Sequence, residues 1–532
     1  MNDRPRVVLA DSLAAEGVAI LEADGRLQVD DCSSGSRSDL EAALVGAAGL
    51  IVRSGTQADA QLFAAGESLE VVGRAGVGLD NIDVDAATQR GIAVMNAPAG
   101  NTVSTAELAF ALLLSAARRI PAADHSLRAG RWDRKGFRGA QLAGKTLGVI
   151  GAGRIGAAVI QRARAFGMKV VVADPYMTAE RASDLYVDLM ELDDLLPVVD
   201  FVTLHVPLTA ETRGLLDADR IGLLRPHAVL VNASRGGIVD EDALAEALKE
   251  GRLAAAALDV YAIEPLPAEH PLREAPNLVL TPHLGAATYD AQREVAIEIA
   301  AAVRAALLER DFSAAVNMPP YDPDDRDRLR PVLDLAERLG AVLGGVIQGG
   351  VAEVTVRYGG EVQRGLRLIS SAVLLGLWKG RLDRSPNLIN ALPLARERGI
   401  SVSRSRIGEV TGFRGMLEVS AVAGDEAHVV SGGLENDGSL RLLRIDGYQV
   451  EVEPRGHLLI FKNRDVPGVV GEVGTRLGAA GAKISEFHPA RDPQTGESLA
   501  VLSLDEALDS DVLADLRSLP AVLYAREVGL DA

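Results

Sequence analysis

Residues 147–174, LGVIGAGRIGAAVIQRARAFGMKVVVAD, decide the fold. Leu147 to Ile150 is an apolar run of the buried-strand kind. Gly151, Gly153 and Gly156 follow in G-x-G-x-x-G spacing, then a helical stretch, then a second strand from Val170 to Val172 that ends at Asp174. Each part has a physical reason. The first glycine permits a tight turn, the second lets a pyrophosphate approach the backbone, and the third lets helix pack on strand. The helix N-terminus offers free N–H groups and a positive dipole end. Asp174, 18 residues after Gly156, is placed to accept hydrogen bonds from an adenosine ribose. A carboxylate there repels a 2′-phosphate, so the expected cofactor is NAD rather than NADP. The motif alone is weak. The strand before it, the helix after it and the acid at the next strand end make it specific.

The totals narrow the function classes. The chain has 532 residues, 48% of them hydrophobic, and a formal net charge of -19. That length suits three or four domains. The negative charge opposes nucleic acid or anionic membrane as a main partner. Cys32 is the only cysteine, so no intrachain disulfide is expected. The N-terminal MNDRPRVVLAD runs straight into a strand with no signal-peptide core, and no apolar run reaches membrane-spanning length. A cytoplasmic protein without resident metal is the expectation.

Outward from the glycine motif, strand-like runs at Val7–Ala10, Gly49–Val52, Glu70–Gly73 and Ile92–Met95 alternate with helical stretches. This pattern predicts a parallel sheet covered on both faces. Asn101–Ile120 reads as one long helix, opened by the capping residues Asn101, Thr102 and Ser104. A polar connection carries Arg131, Trp132 and Arg134. Later strands are expected at Phe201–Val206, Ala228–Asn232, Ala255–Asp259 and Leu278–Thr281, with a second long helix over Tyr289–Leu308. The dinucleotide unit is thus inserted within the chain, which predicts two lobes with a cleft between them.

After a Pro- and Asp-rich break at 316–325, residues 317–455 read as alternating strands such as Val351–Tyr358, Leu417–Val422 and Leu440–Ile445. The last part reads βαββαβ, the ferredoxin-like order, with turns at Asp465–Gly468 and Pro493–Glu497. The expected fold class is α/β. A Rossmann-like NAD domain (99–286) is inserted in a flavodoxin-like substrate domain (1–98 and 287–316). Two α+β regulatory domains (317–455 and 456–532) follow.

Three segments place polar residues just beyond strand ends, where a doubly wound sheet presents ligands. They are Asn232-Ala233-Ser234-Arg235-Gly236-Gly237, Asp259–Pro265 and Thr281-Pro282-His283-Leu284-Gly285-Ala286. An Arg, a Glu and a His suit hydride transfer from an alcohol. His283 can take the hydroxyl proton near neutral pH. Glu264 can orient the imidazole and favour its protonated form. Arg235 can hold a carboxylate bidentately and polarise the adjacent oxygen.

With these residues in view, the chain resembles the D-2-hydroxyacid dehydrogenases, and more narrowly the long, multi-domain D-3-phosphoglycerate dehydrogenases. The motifs are GRAGVGLDNID (73–83), GAGRIG (151–156), NASRGGIVDEDAL (232–244), ALDVYAIEP (257–265) and TPHLGAAT (281–288). The resemblance implies Arg235, Glu264 and His283 as the catalytic set. It implies cofactor contacts from Val77, Gly151, Gly153, Arg154, Ile155, Gly156, Asp174, Val206, Ala233, Ser234, Arg235, Asp259, His283, Gly285 and Ala286. It gives His205 an adenine-side role, against the alternative of a structural histidine. Similar enzymes use the positions of Arg53, Ser54, Gly76, Val77 and Asn101 for the acid and phosphate ends of the substrate. Arg131, Trp132 and Arg134 resemble a segment that reaches a neighbouring subunit's site.

The implied activity is NAD-dependent oxidation of 3-phospho-D-glycerate to 3-phosphooxypyruvate, the first step of serine synthesis, by a homodimer or homotetramer. Alternatives are another 2-hydroxy acid or its oxo partner, such as glyoxylate or 2-hydroxyglutarate, and an NAD-sensing interaction protein without turnover. The resemblance also makes 317–455 an intervening domain of the allosteric substrate-binding type and 456–532 an ACT domain that takes an amino-acid effector. One departure bears on that effector. Similar serine-binding domains read G-V-N-I where this chain has Gly481-Ala482-Lys483-Ile484. Lys has donors only, whereas Asn offers a donor and an acceptor, so weak or absent inhibition by serine is expected. Lys483 is then solvated, binds a different carboxylate effector or pairs with Asp465.

Overall fold

The apolar runs near the N-terminus become neighbouring strands. In the computed structural model, which describes residues 4–362, 364–382, 386–408, 410–492 and 495–530, they are β1 (Arg6–Leu9), β2 (Gln28–Asp31), β3 (Gly49–Val52), β4 (Val71–Arg74) and β5 (Ala93–Asn96). The sheet is parallel, in the order β2-β1-β3-β4-β5, which is the flavodoxin-like order. The QVDD of β2 is not signalled by the sequence because it is a polar strand at a sheet edge. Successive side chains point to opposite faces. Val7 and Leu9 therefore enter one core and Val8 the other.

The second sheet holds β6 (Thr146–Ile150), β7 (Lys169–Ala173), β8 (Asp188–Leu189), β9 (Phe201–Leu204), β10 (Val229–Asn232), β11 (Ala255–Leu258) and β12 (Leu278–Leu280). Its order is β12-β11-β10-β9-β6-β7-β8, all parallel. That is the dinucleotide-fold order with one strand more. Apolar cores cover both faces, as a buried parallel sheet requires.

The helix expected over Asn101–Ile120 is present, and a second follows it directly. The first, Thr102–Arg118, ends at Arg119 in the left-handed conformation, and Ile120–Arg128 starts a new one. Pro121 is the cause, since it has no N–H to continue the ladder to Ala117. The Ala117 carbonyl is satisfied by Ala140 N–H instead (3.0 Å). The first helix packs on the second sheet through Ala106, Phe110 and Leu113. The Tyr289–Glu309 helix returns to the first sheet through Val295, Ile299 and Val303. The two crossings between lobes are fastened together. Ser104 Oγ lies 2.7 Å from Thr288 Oγ1, and Glu298 accepts from Gly100 N–H at 3.0 Å.

The third sheet holds β13 (Val351–Gly360), β14 (Ser401–Arg406), β15 (Gly415–Ala423), β16 (Glu426–Leu434), β17 (Leu440–Ile445) and β18 (Tyr448–Val452), in the order β14-β13-β15-β16-β17-β18. Strand alternation describes only part of this region. Helices Arg326–Val346, Leu366–Trp378 and Ala391–Glu397 accompany the strands. Leu366–Trp378 is buried nearly all round, so it shows no helical stripe to read. It crosses Arg326–Val346 at glycines: a Cβ on Gly376 would sit 1.8 Å from the Glu337 carbonyl oxygen, and one on Gly340 2.1 Å from that of Val373.

The last sheet is antiparallel: β19 (Gly456–Arg464), β20 (Ile484–Asp492), β21 (Glu497–Leu504) and β22 (Val522–Leu530), in the order β20-β21-β19-β22. Helices Val469–Ala479 and Ser510–Arg517 complete a βαββαβ sequence. Alternation along β19 sends Leu459 and Phe461 under these helices and Leu458 and Ile460 into the core around Arg326–Val346. The third and fourth sheets thus share a core. Of the turn expected at Pro493–Glu497, Pro493 and Gln494 lie outside the described residues. Among the described residues, no helix is long and apolar enough to cross a membrane.

Candidate active site

The site is built from strand ends. β10 stops at Asn232, whose buried amide holds the next turn. Its Oδ1 accepts from Ser234 N–H (3.0 Å) and Ser234 Oγ (2.8 Å), and its Nδ2 donates to the Arg235 carbonyl (2.9 Å). Arg235 is turned toward the other lobe. Its Nη1 donates to the Ser234 carbonyl (2.6 Å) and its Nε to Asp80 Oδ2 (3.0 Å).

β11 is followed by Asp259, fully buried. Its Oδ1 accepts from Thr281 Oγ1 (2.6 Å) and Leu284 N–H (2.8 Å), and its Oδ2 from Gly285 N–H (3.0 Å). These donors lie on both sides of His283, so one carboxylate fastens the whole loop. His283 has a φ of 54°, a left-handed backbone that costs about 1–3 kcal/mol and persists where surroundings over-determine it. Burial pushes the Asp259 carboxyl above its ordinary value, against the three donors that pull it down.

His283 Nδ1 lies 2.7 Å from Glu264 Oε2, and Glu264 Oε1 accepts from Tyr261 N–H at 3.0 Å. Burial pushes the Glu264 carboxyl up, but the bonds from His283 and Tyr261 outweigh it, and the group sits below its ordinary value. Glu264 is therefore an ionised acceptor at neutral pH. It fixes the proton of a neutral imidazole on Nδ1 and leaves Nε2 as the basic nitrogen. His205 is different. It lies 3.0 Å from Thr203 Oγ1, and burial pushes it down to about 4. It is uncharged at neutral pH.

The glycine motif fits a dinucleotide. Gly151 has a φ of 84°. A Cβ on Gly156 would sit 2.2 Å from the Gly151 carbonyl oxygen, whereas one on Gly153 would meet nothing within 4 Å. The open space lies over the start of the Arg154–Ala165 helix, which has no side-chain cap. Its first N–H groups are available to an anion. Asp174 stands at the end of β7. Its Oδ2 accepts from Ala152 N–H and its Oδ1 from Tyr176 N–H, each at 2.9 Å. Each oxygen keeps a lone pair for a ribose hydroxyl.

In the first lobe, Asp11 Oδ2 accepts from Arg53 N–H (2.6 Å) and Asn81 Nδ2 donates to the Arg53 and Thr56 carbonyls (2.7 and 2.6 Å). Ser54 is exposed beside them. The turn Ala75–Gly78 carries Val77, whose carbonyl accepts from Asn96 Nδ2 (2.6 Å). Asn101 Oδ1 is buried without a partner among the described residues. Arg131, Trp132 and Arg134 are exposed, Trp132 by 80%. No hydrogen bond or ion pair among the described residues joins them to the cleft of their own chain.

Sequence reasoning has Arg74, Asp80, Asn81 and Asn232 within its motifs but gives them no role of their own. Arg74 ends β4 and folds over Gly76, where a Cβ would sit 1.5 Å from its Nη1. Its Nε has no partner among the described residues. Burial pushes its guanidinium below the ordinary value; Arg235 and Arg53 push the same way, and Asp80 and Asp11 oppose them. Three guanidinium groups therefore meet two carboxylates in the cleft. The strand-end rule that found Arg235 would have found Arg74, since GRAG follows an apolar run in the same manner. In the last sheet, Lys483 is exposed, and Asp465 lies 3.5 Å from Arg491 Nε.

The chain is similar to known proteins over nearly its whole length. Residues 110–285 match the family model of the D-isomer specific 2-hydroxyacid dehydrogenase NAD binding domain. Residues 328–446 match that of the D-3-phosphoglycerate dehydrogenase intervening domain. The chain is 40% identical to the D-3-phosphoglycerate dehydrogenase of Archaeoglobus fulgidus over 99% of this chain and 100% of that one. It is 36% identical to the enzyme of that name from Bacillus subtilis over 99% of each. A crystal structure of a Thermus thermophilus protein covers 58% of this chain and 99% of its own, with a TM-score of 0.54 and 37% identity. An NADPH-dependent glyoxylate/hydroxypyruvate reductase from Sinorhizobium meliloti covers 59% and 97%, with a TM-score of 0.52 and 31% identity.

Proposed function

The chain belongs to the D-3-phosphoglycerate dehydrogenase family, within the NAD-binding D-2-hydroxyacid dehydrogenases, and we propose that it oxidises 3-phospho-D-glycerate to 3-phosphooxypyruvate. The observation that carries the choice of a doubly anionic acid is that Arg74 lies over Gly76 and Arg235 over Gly78, while Asn81 of the same turn holds the Arg53 carbonyl. A carboxylate and a phosphate together match that charge.

Gly151, Gly153, Arg154, Ile155 and Gly156 would hold the pyrophosphate of NAD and Asp174 its ribose. Val77, His205, Val206, Ala233, Ser234, Asp259, Gly285 and Ala286 would line the rest. When bound, NAD accepts the hydride that leaves C2 of the substrate. His283 Nε2 takes the proton of the C2 hydroxyl, so that the oxygen becomes a carbonyl. Glu264 stabilises the imidazolium that forms. Arg235 holds the substrate carboxylate and polarises the C2 oxygen. Arg53 and Arg74, with Ser54, the Gly76–Val77 turn and Asn101, take the phosphate end and the remaining oxygens. Arg131 and Arg134 belong to a segment suited to a neighbouring subunit's site in a homodimer or homotetramer. The βαββαβ unit is an ACT domain for an amino-acid effector.

The test is NADH formation by purified protein with NAD and 3-phospho-D-glycerate, beside D-glycerate, glyoxylate with NADH, and 2-hydroxyglutarate. The largest kcat/KM is expected for the phosphorylated acid. No turnover, or a preference for an unphosphorylated acid, overturns the proposal.

A further inference from the structure

The turn Gly76–Asn81 carries two adjacent side chains that reach in opposite directions. Asn81, buried, donates from one amide nitrogen to the carbonyls of Arg53 and Thr56, and so pins the arginine loop of its own lobe. Asp80, next to it, crosses the cleft and accepts from Arg235 Nε at 3.0 Å. Arg235 rests against the same turn: a Cβ on Gly78 would sit 2.0 Å from its Nη2. Two different sides of the guanidinium are thereby held, Nε by Asp80 and Nη1 by the Ser234 carbonyl. An arginine has five N–H donors in a rigid planar fork, so fixing these two sets where Nη2 points.

We propose that Asp80 is a positioning residue for Arg235, and that the Asp80-Asn81 pair makes approach of the lobes and alignment of the catalytic arginine one event. Substrate is held by both lobes. The lobe that carries Arg53 and Arg74 also supplies the carboxylate that orients Arg235, so the arginine is fully aligned only when the cleft is closed. The role rests on accepting a hydrogen bond at a defined place. Asp80 is largely exposed, and its net Coulomb attraction for Arg235 is small in water.

This inference rests on the proposed dehydrogenase activity. Parent turnover tests that reading, and a double-mutant cycle tests this one. Asp80→Ala is expected to lower kcat/KM for 3-phospho-D-glycerate by about 10²-fold, the size of a 1 Å misplacement. NAD affinity, read by quenching of protein fluorescence, should be unchanged. Asp80→Asn, which keeps an acceptor oxygen, should retain activity within roughly threefold of the parent, the loss of one weak surface interaction. In an Arg235→Lys background, which keeps the positive charge but has no Nε–H for Asp80 to accept from, Asp80→Ala should change kcat/KM by less than about twofold. An equal loss in both backgrounds, an Ala variant as active as the parent, an Ala variant faster than the parent, or an Asn variant as poor as the Ala one would each overturn the proposal.

Discussion

The first two sheets and the last two differ in what their strand ends can do. In the parallel sheets every strand points the same way, so the loops after β4, β10, β11 and β12 open into one cleft and bring Arg74, Arg235, Glu264 and His283 together. In the third and fourth sheets nearly all neighbours are antiparallel. Successive loops leave at opposite ends, and no such gathering occurs among the described residues. The two halves bury similar apolar cores. What separates them is strand direction: parallel connection focuses chemistry, and antiparallel connection spreads it.

The sharpest way to break that contrast is to remove the proposed base. His283→Ala should lower kcat by about 10²–10⁴-fold, the range of general acid–base catalysis. NAD affinity should stay near that of the parent, because the glycine motif is untouched. Substantial turnover in the variant would move the base elsewhere. His205 is a poor substitute, since burial holds it near 4 and neutral.

Two glycines sharpen it next. A Cβ on Gly156 would run into the Gly151 carbonyl oxygen, and one on Gly376 into that of Glu337. Gly156→Ala should raise the KM for NAD by roughly tenfold or more, because the loop must shift where the pyrophosphate approaches. Gly376→Ala should leave kcat and KM alone and destabilise the C-terminal half by about 1–3 kcal/mol, the usual size of overpacking. Calorimetry resolving the transitions should show only the C-terminal one moving. A Gly376→Ala variant with altered KM for NAD would show the halves to be coupled more tightly than their separate cores suggest.

The legible and illegible parts of the chain follow the same division. The glycine motif, Asp174 and the segments that carry Arg235, Glu264 and His283 could be read because each follows an apolar run, and a parallel sheet brings such strand ends to one side. Arg74 follows directly on the apolar run before it and closes β4 itself. Asp80 and Asn232 were not legible, since their roles depend on partners 155 and 2–3 residues away that no local pattern marks. The break at Arg119 follows from Pro121, and the expected helix stops beside it at Ile120. Of the helices between residues 326 and 397, Leu366–Trp378 escaped because it is buried nearly all round and packs by glycine contact, which leaves no period to detect.

A smaller effect concerns acid. The Glu264 carboxyl is held below its ordinary value of 4.5, so its stabilising contribution is present above that pH and is lost as pH falls through the lower folded value. The thermal midpoint of the parent should therefore drop more steeply below pH 4.5 than that of Glu264→Gln. Parallel slopes would mean that the His283 pairing does not reach stability. The smallest expected effect lies in the last sheet. Asp465 is near Arg491 and Lys483 is exposed, so L-serine should inhibit weakly or not at all. Inhibition appearing only in Lys483→Asn would support that. Strong inhibition of the parent at sub-millimolar serine would contradict it.

The most direct test of the central claim, that converging strand ends of the parallel half select and oxidise a doubly anionic acid, is the ratio of kcat/KM for 3-phospho-D-glycerate to that for D-glycerate in the parent and in Arg74→Ala. A ratio well above one in the parent, falling at least about tenfold in the variant as a charge-assisted pair is lost, is the predicted result. A parent ratio near or below one, or a ratio untouched by removing Arg74, would contradict it.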